Sequence, residues 1–219
     1  MIRDALTYPI RKSGLIMILL GSVFSLILAF LSAAPAVGLL AALFSAGYFG
    51  SFYFDIVSAT MTDHDDLPDW PSITSILDDI IWPFLRLLGL VLISFLPAIF
   101  VLFGDDEASW HLPALILTVT YGCFYFPMAV LSTEAFGGFR AALPHVVFPA
   151  IVRALPLYLL VVIALALAFA FSRFAEQSTR DVPYIGWFLK ATVALYSLMF
   201  QARLIGLLYR EKSAQLGWD

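Results

Sequence analysis

The residues most able to do chemistry stand together in one short segment. Asp63-His64-Asp65-Asp66-Leu67-Pro68-Asp69 carries four carboxylates, and Asp65-Asp66-Leu67-Pro68-Asp69 has the D-D-x-x-D spacing that can hold Mg²⁺ against a diphosphate when the acids share one helical face. Mg²⁺ wants near-octahedral oxygen ligation, usually completed by substrate phosphates. Here Pro68 falls inside the pattern and breaks any such face, and no second aspartate-rich segment is present. The expected reading is a solvated acidic turn, with Asp65, Asp66 and Asp69 as the candidate ligands should a cation bind. The spacing is not that of an EF-hand, which needs a central glycine and a terminal glutamate.

Other chemistry finds less to work with. His64, His111 and His145 are far apart, and no pair has zinc-ligand spacing. There is no G-x-S-x-G nucleophile elbow and no phosphate-binding glycine loop; Gly137-Gly138 reads as a flexible turn. Cys123 is the one cysteine, so an internal disulfide is excluded, and it sits in an apolar run. No catalytic residue, metal or cofactor is assigned. Nucleic acid is not expected as a partner, because no basic stripe is present.

The elements that must position these residues follow from composition. Of 219 residues, 62% are hydrophobic and 13% charged, against about 25% charged in soluble domains. One soluble core could not hide so much apolar surface, whereas lipid is as apolar as leucine. Runs of roughly 20 apolar residues match a hydrocarbon layer about 30 Å thick. The expected fold is all-α: a polytopic transmembrane helix bundle forming a single membrane domain over 1–219. Its spans lie near 14–33, 36–59, 80–103, 112–133, 146–172 and 184–208. The segments are too long and too continuously apolar for barrel strands. Arg3, Arg11 and Lys12 before an apolar run, with Ser32-Ala33-Ala34 after it, resemble a signal peptide. The run is long for that, and a second span follows at once, so it reads as the first span.

The basic residues orient the chain. Arg3, Arg11, Lys12, Arg86, Arg140, Arg153, Arg203, Arg210 and Lys212 fall on the side of the N-terminus, and only Arg173, Arg180 and Lys190 on the other. Nine against three predicts both termini in the cytoplasm, by the positive-inside rule, in the inner membrane of a prokaryote. Asp105-Asp106-Glu107 then falls outside, and Trp82, Trp110, Tyr184 and Trp187 lie near span ends.

After the acidic segment, Ile73, Ile76, Leu77 and Ile80 recur at helical spacing, opposite Ser72, Ser75, Asp78 and Asp79. This predicts a short amphipathic helix near 70–80 lying at the cytoplasmic interface, N-capped by Asp69 and anchored by Trp70 and Trp82. Gly50-Ser51-Phe52-Tyr53-Phe54 is echoed by Gly122-Cys123-Phe124-Tyr125-Phe126, which suggests two related hairpins in parallel orientation. Gly47-x-x-Gly50, within a small-residue stretch from Ala33 to Ser51, allows close helix packing in the bundle core or at an oligomer interface.

Ionisable residues in apolar runs are costly unless paired or wet. Asp55 and Glu134 are expected to meet Arg86, Arg153 or Arg203 in a ring of ion pairs, the alternative being that each snorkels to headgroups. Gln201 lies beside Arg203, and Lys190 is expected to snorkel to the other side. Polar groups nearer mid-span, such as Thr118, Thr120 and Ser197, are scattered.

Tyr8-Pro9, Gly47-Tyr48 and Asp65-Asp66-Leu67-Pro68-Asp69-Trp70, with Phe139-Arg140-Ala141-Ala142 and Gly206-Leu207-Leu208-Tyr209-Arg210, resemble an uncharacterised prokaryotic family of polytopic membrane proteins, a domain of unknown function. In that family a Leu-Pro-Glu-Trp loop follows the second span; here Asp69 replaces the glutamate. The resemblance implies six spans and supplies no activity.

These observations lead to a non-enzymatic scaffold, assembly factor or accessory subunit of a membrane complex. Its expected partners are membrane lipid and a protein in the membrane or at its cytoplasmic face, met by Asp63, Asp65, Asp66, Pro68, Asp69, Trp70, Asp78 and Asp79. The alternatives are a small permease or lipid-handling transporter and, third, a cation-dependent membrane enzyme.

Overall fold

A computed structural model of the protein describes residues 1–31, 35–71, 74–104, 109–179, 182 and 185–218. All regular structure among them is helical: α1 (Ile2–Thr7), a 3₁₀ turn (Tyr8–Ile10), α2 (Lys12–Leu31), α3 (Pro35–Met61), a π turn (Leu77–Ile81) running into α4 (Trp82–Leu102), α5 (His111–Phe136), a 3₁₀ turn (Phe139–Ala142), α6 (Pro144–Ser178) and α7 (Ile185–Leu216). Among the described residues, six helices are long and apolar enough to cross a membrane. Each matches an expected span, and the fifth and sixth run on to Ser178 and Leu216. The fold is all-α and the chain is that of a multi-pass membrane protein. Helices satisfy their own backbone N–H and C=O groups, which lipid cannot do. Leucines that a soluble fold would hide, such as Leu40 and Leu117, are accordingly exposed.

The residues sort into two compact units. The first comprises 1–85 and 163–211, and the second 86–162 and 212–219.

In the first unit, Phe52, Ile56 and Val57 of α3 are buried, as are Met17 and Ile18 of α2 and Met199, Ala202, Leu204 and Ile205 of α7. Two glycines let backbones touch. A Cβ on Gly47 would stand 2.2 Å from the Ile80 carbonyl oxygen, and one on Gly206 would stand 2.4 Å from the Thr60 Cβ. Hydroxyl pairs add cross-links: Ser22 with Thr192 at 3.0 Å between α2 and α7, and Ser172 with Ser197 at 2.8 Å between α6 and α7. Ser197, scattered when read in sequence, is thus half of an interhelical hydrogen bond of the kind that helps hold membrane helices together.

The separate interfacial helix expected near 70–80 is not formed. Trp70 and Pro71 are not helical, and Ser72 and Ile73 lie outside the described residues. The helix starts at Ile76 and continues directly into α4. Its cap is not Asp69. The Asp79 carboxylate accepts from the Thr74 and Ser75 backbone N–H groups at 2.7 and 2.9 Å, and the Ser75 Oγ accepts from the Asp78 N–H at 3.4 Å. The Ser75 hydroxyl thus takes one of the orphan donors of the helix start, and the Asp79 carboxylate reaches back to the N–H of the cap residue, as in a capping box. Ile76 and Leu77 consequently join the exposed apolar surface of α4, while Ile80 is buried against α3. Trp70 is not a surface anchor either. Its ring stacks on Phe52 (centroids 5.2 Å, 13°) and on Tyr48 (5.6 Å, 15°), beside Phe49.

In the second unit, α5 and α6 bury Tyr125, Met128, Leu131, Ala150, Ala154 and Tyr158. Pro127 lacks the N–H that the Cys123 carbonyl would use. One residue on, the Tyr158 hydroxyl donates to the Phe124 carbonyl, and the Tyr125 hydroxyl donates to the Ala142 carbonyl at 2.5 Å. Gly137 ends α5 with φ +70° and its N–H on the Thr133 carbonyl, the left-handed cap that glycine adopts without strain. The two echoed aromatic stretches are buried differently: Phe52 and Phe54 are buried in the first, and Tyr125 alone among the three aromatics in the second.

Candidate functional site

The acidic segment begins where α3 stops. The His64 N–H bonds the Ala59 carbonyl at 2.9 Å and the Asp63 N–H the Thr60 carbonyl at 3.4 Å. That is a Schellman-type end, with Asp63 at φ +62° in the position glycine usually takes. Aspartate is one of the few residues that visits this region. The turn carries Asp65 toward the side of α7 that bears Arg203.

Arg203 is the largest fully buried side chain described, only 1% exposed. Its Nε donates to Asp4 Oδ2 at 3.0 Å and its Nη2 to Asp65 Oδ1 at 2.6 Å. Nη1 donates to the His64 carbonyl at 3.1 Å and to the Thr60 Oγ1 at 3.3 Å. The guanidinium lies over the Tyr8 ring, 4.7 Å from its centroid. A buried arginine without partners would cost several kcal/mol or more; here carboxylates, a carbonyl, a hydroxyl and a π face replace the lost water.

Two further arginines complete the clamp. Arg210, two turns along α7, pairs with Asp65 at 2.8 Å and Asp63 at 2.5 Å. Arg11 pairs with Asp4 at 2.8 Å, donates to the Asp65 carbonyl at 2.6 Å, and lies 5.3 Å from the Tyr8 centroid. Tyr8 donates to the Asp66 carbonyl at 3.4 Å. Three guanidiniums thus face the three carboxylates of Asp4, Asp63 and Asp65, and the cluster is neutral. Hydrogen bonds from Arg203 and Arg210 hold the Asp65 carboxyl down at about 2. Burial pushes the Tyr8 phenol up to about 12, outweighing the opposing pull of Arg203 and Arg11.

The other sequence-predicted residues are placed as follows. Asp66 and Asp69 are exposed, and Pro68 and Trp70 are half-buried. Residues 64–70 are not helical, so the D-D-x-x-D spacing puts no three carboxylates on one face, and no metal-binding cluster of His, Cys, Asp or Glu occurs among the described residues. Asp78 bonds Ser75, and Asp79 belongs to the helix cap. Of the expected ring, Arg86 and Glu134 pair at 2.7 Å in the second unit. Arg203 instead takes Asp4 and Asp65, because the N-terminal segment and the loop reach its end of α7. Arg153 donates to the Leu216 carbonyl at 2.7 Å, capping the last turn of α7. Asp55 sits on the exposed face of α3. Asp4, Arg11 and Tyr8 were not predicted to belong here; Tyr8-Pro9 followed by Arg11 offered composition but no spacing rule.

At the other end of the first unit lies a cleft. Arg173, Glu176, Gln177, Thr179, Gly186, Trp187 and Lys190 line a polar part of ≈ 480 Å³. An apolar part of ≈ 410 Å³ continues from Trp187 and Lys190 along Ala191, Ala194 and Leu198 to Ser25, Ala29 and Phe49. No family model matches the chain, and no curated protein or solved structure is significantly similar to it.

Proposed function

We propose that the protein is a non-enzymatic scaffold or accessory subunit of a membrane complex, which presents a pre-ordered acidic loop to a partner protein. The observation that carries this reading is the clamp: Arg203 and Arg210 hold Asp65 while Asp66 and Asp69 remain exposed. A loop fixed before encounter avoids part of the ordering cost of binding, about 0.5–1.5 kcal/mol per side chain immobilised. The joining of Asp4, Asp65 and Arg203 supports placing the N-terminus, the loop after α3 and the later part of α7 on one side of the membrane. The nine-to-three bias of basic residues argues that this side is the cytoplasm and the membrane the inner one. The partner would bring basic groups to Asp66 and Asp69.

The test is gentle purification of tagged protein from native membranes, comparing wild type with Asp66→Lys/Asp69→Lys by mass spectrometry. Loss of a stoichiometric companion, with an unchanged melting temperature, supports the reading. Full retention of every companion, or none in wild type, removes it.

The cleft favours a second reading, a small permease or lipid-handling transporter whose cargo enters between α2 and α7. Cation-dependent chemistry gains no support from the loop, since two guanidiniums already occupy Asp65.

A further inference from the structure

We infer that the cleft far from Arg203 is a binding site for one phospholipid molecule, its phosphodiester at Arg173 and Lys190 and one acyl chain in the groove between α2 and α7. The two parts of the cleft are continuous, since Trp187 and Lys190 line both. Their chemistry differs as the two ends of a phospholipid do.

At the polar part, Lys190 and Arg173 each contact Glu176, Arg173 at 2.9 Å. Among the described residues two cations share one carboxylate there, which leaves a single positive charge, the complement of a phosphodiester. Both cations keep donors to spare, because a guanidinium has five N–H groups and an ammonium three. Their side chains are 66% and 54% exposed, so these donors are reachable.

The apolar part is shaped by side chains too small to close it. Ala191, Ala194, Leu195 and Leu198 of α7 line it together with Ser25 and Ala29 of α2 and Phe49 of α3. From Lys190 to Leu198 the groove follows α7 for about 12 Å. Beyond Ser25 and Ala29 it meets a further recess lined by Gly38, Ala41 and Ala42 of α3. Trp187 stands at the junction, edge-on to Phe30 of α2 at 6.4 Å, where an indole is expected at the boundary between headgroups and hydrocarbon. Lys190 lies about 20 Å along α7 from Arg203, so this site is separate from the clamp and does not depend on the proposed partner role.

The test uses the full chain, delipidated in mild detergent, and native mass spectrometry with phosphatidylglycerol or with diacylglycerol bearing the same chains. The expected result is a one-to-one phosphatidylglycerol adduct at least tenfold more abundant than the diacylglycerol adduct. Arg173→Gln/Lys190→Gln should erase that difference, and Ala194→Leu should reduce both adducts. Phosphatidylglycerol brominated on its chains should quench wild-type tryptophan fluorescence more than that of Trp187→Phe. This wild-type comparison decides the matter even if the double variant fails to fold. Equal adducts of the two lipids in wild type, or no quenching assignable to Trp187, would overturn the site, as would a protein dimer that forms in place of the lipid adduct.

Discussion

The Nη2 of Arg203 stands 2.6 Å from the Oδ1 of Asp65, across 138 residues of chain. The two partners are unequally placed: the arginine side chain is 1% exposed and the aspartate 62%. The pair therefore consists of a cation with no access to water and an anion that water can reach. Most consequences of the clamp follow from that inequality.

Removing the anion should hurt more than removing the cation. Asp65→Asn leaves Arg203 buried with one charged hydrogen bond fewer, a loss of about 2 kcal/mol. Arg203→Met keeps an apolar stem of similar length and leaves the Asp4 and Asp65 carboxylates, both open to water, without a buried charge between them, so its cost should be smaller. Thermal melts of the two variants in detergent check the order. Arg203→Lys should not restore wild-type stability, because a point charge cannot reach Asp4, Asp65 and the His64 carbonyl together.

Acid should release the clamp. The Asp65 carboxyl is held at about 2, below its ordinary 3.8. A depressed folded-state value means that its contribution is complete above 3.8 and is lost as pH falls from there through about 2. Melting temperature followed through that range should drop in wild type, and the drop should be smaller in Asp65→Asn. A clamp contribution lost at higher pH would assign the titration to another group.

The loop turn and the helix cap can be told apart by mutation. Ser75→Ala should cost about 1 kcal/mol, the usual loss for a helix N-cap, whereas Asp69→Asn should leave stability unchanged. A matched pair of urea or thermal melts decides between a helix begun at Ser75 and one begun at Asp69.

Glycine positions separate packing from backbone strain. Gly47→Ala would push a methyl into the Ile80 carbonyl, and overpacking of this kind costs roughly 1–3 kcal/mol. Gly137→Ala meets nothing in space but must hold φ +70°, which costs about 1–2 kcal/mol. Gly138→Ala, with open space and extended backbone, should be silent in the same melts.

The long helices were legible in the sequence because an apolar run of sufficient length has few other fates, and span ends moved most where α6 and α7 run on to Ser178 and Leu216. An ion pair for Glu134 at a span end was expected, but the sequence left open whether Arg86, Arg153 or Arg203 would make it, and Arg86 does. The partners of Arg203 were not: Asp4 and Asp65 are 199 and 138 residues away, and periodicity within one helix carries no information on which distant acid will reach it. Trp70 was misassigned for a similar reason. An indole beside prolines and acids suggests a surface anchor, but the aromatic face of α3, made by Tyr48, Phe49 and Phe52, stacks it inward. The true helix start did leave a signal, Ser75 followed by Asp78 and Asp79, which the stronger-looking Asp69 before Trp70-Pro71 obscured.

A loop held by Arg203 and offered to a partner should be caught by a photoreactive amino acid placed at position 69 and illuminated in native membranes. One discrete protein adduct is expected in the wild-type background, lost or scattered when Arg203→Met frees the loop. Adducts with lipid alone, or a protein adduct indifferent to Arg203→Met, would show that the loop is not held for a partner.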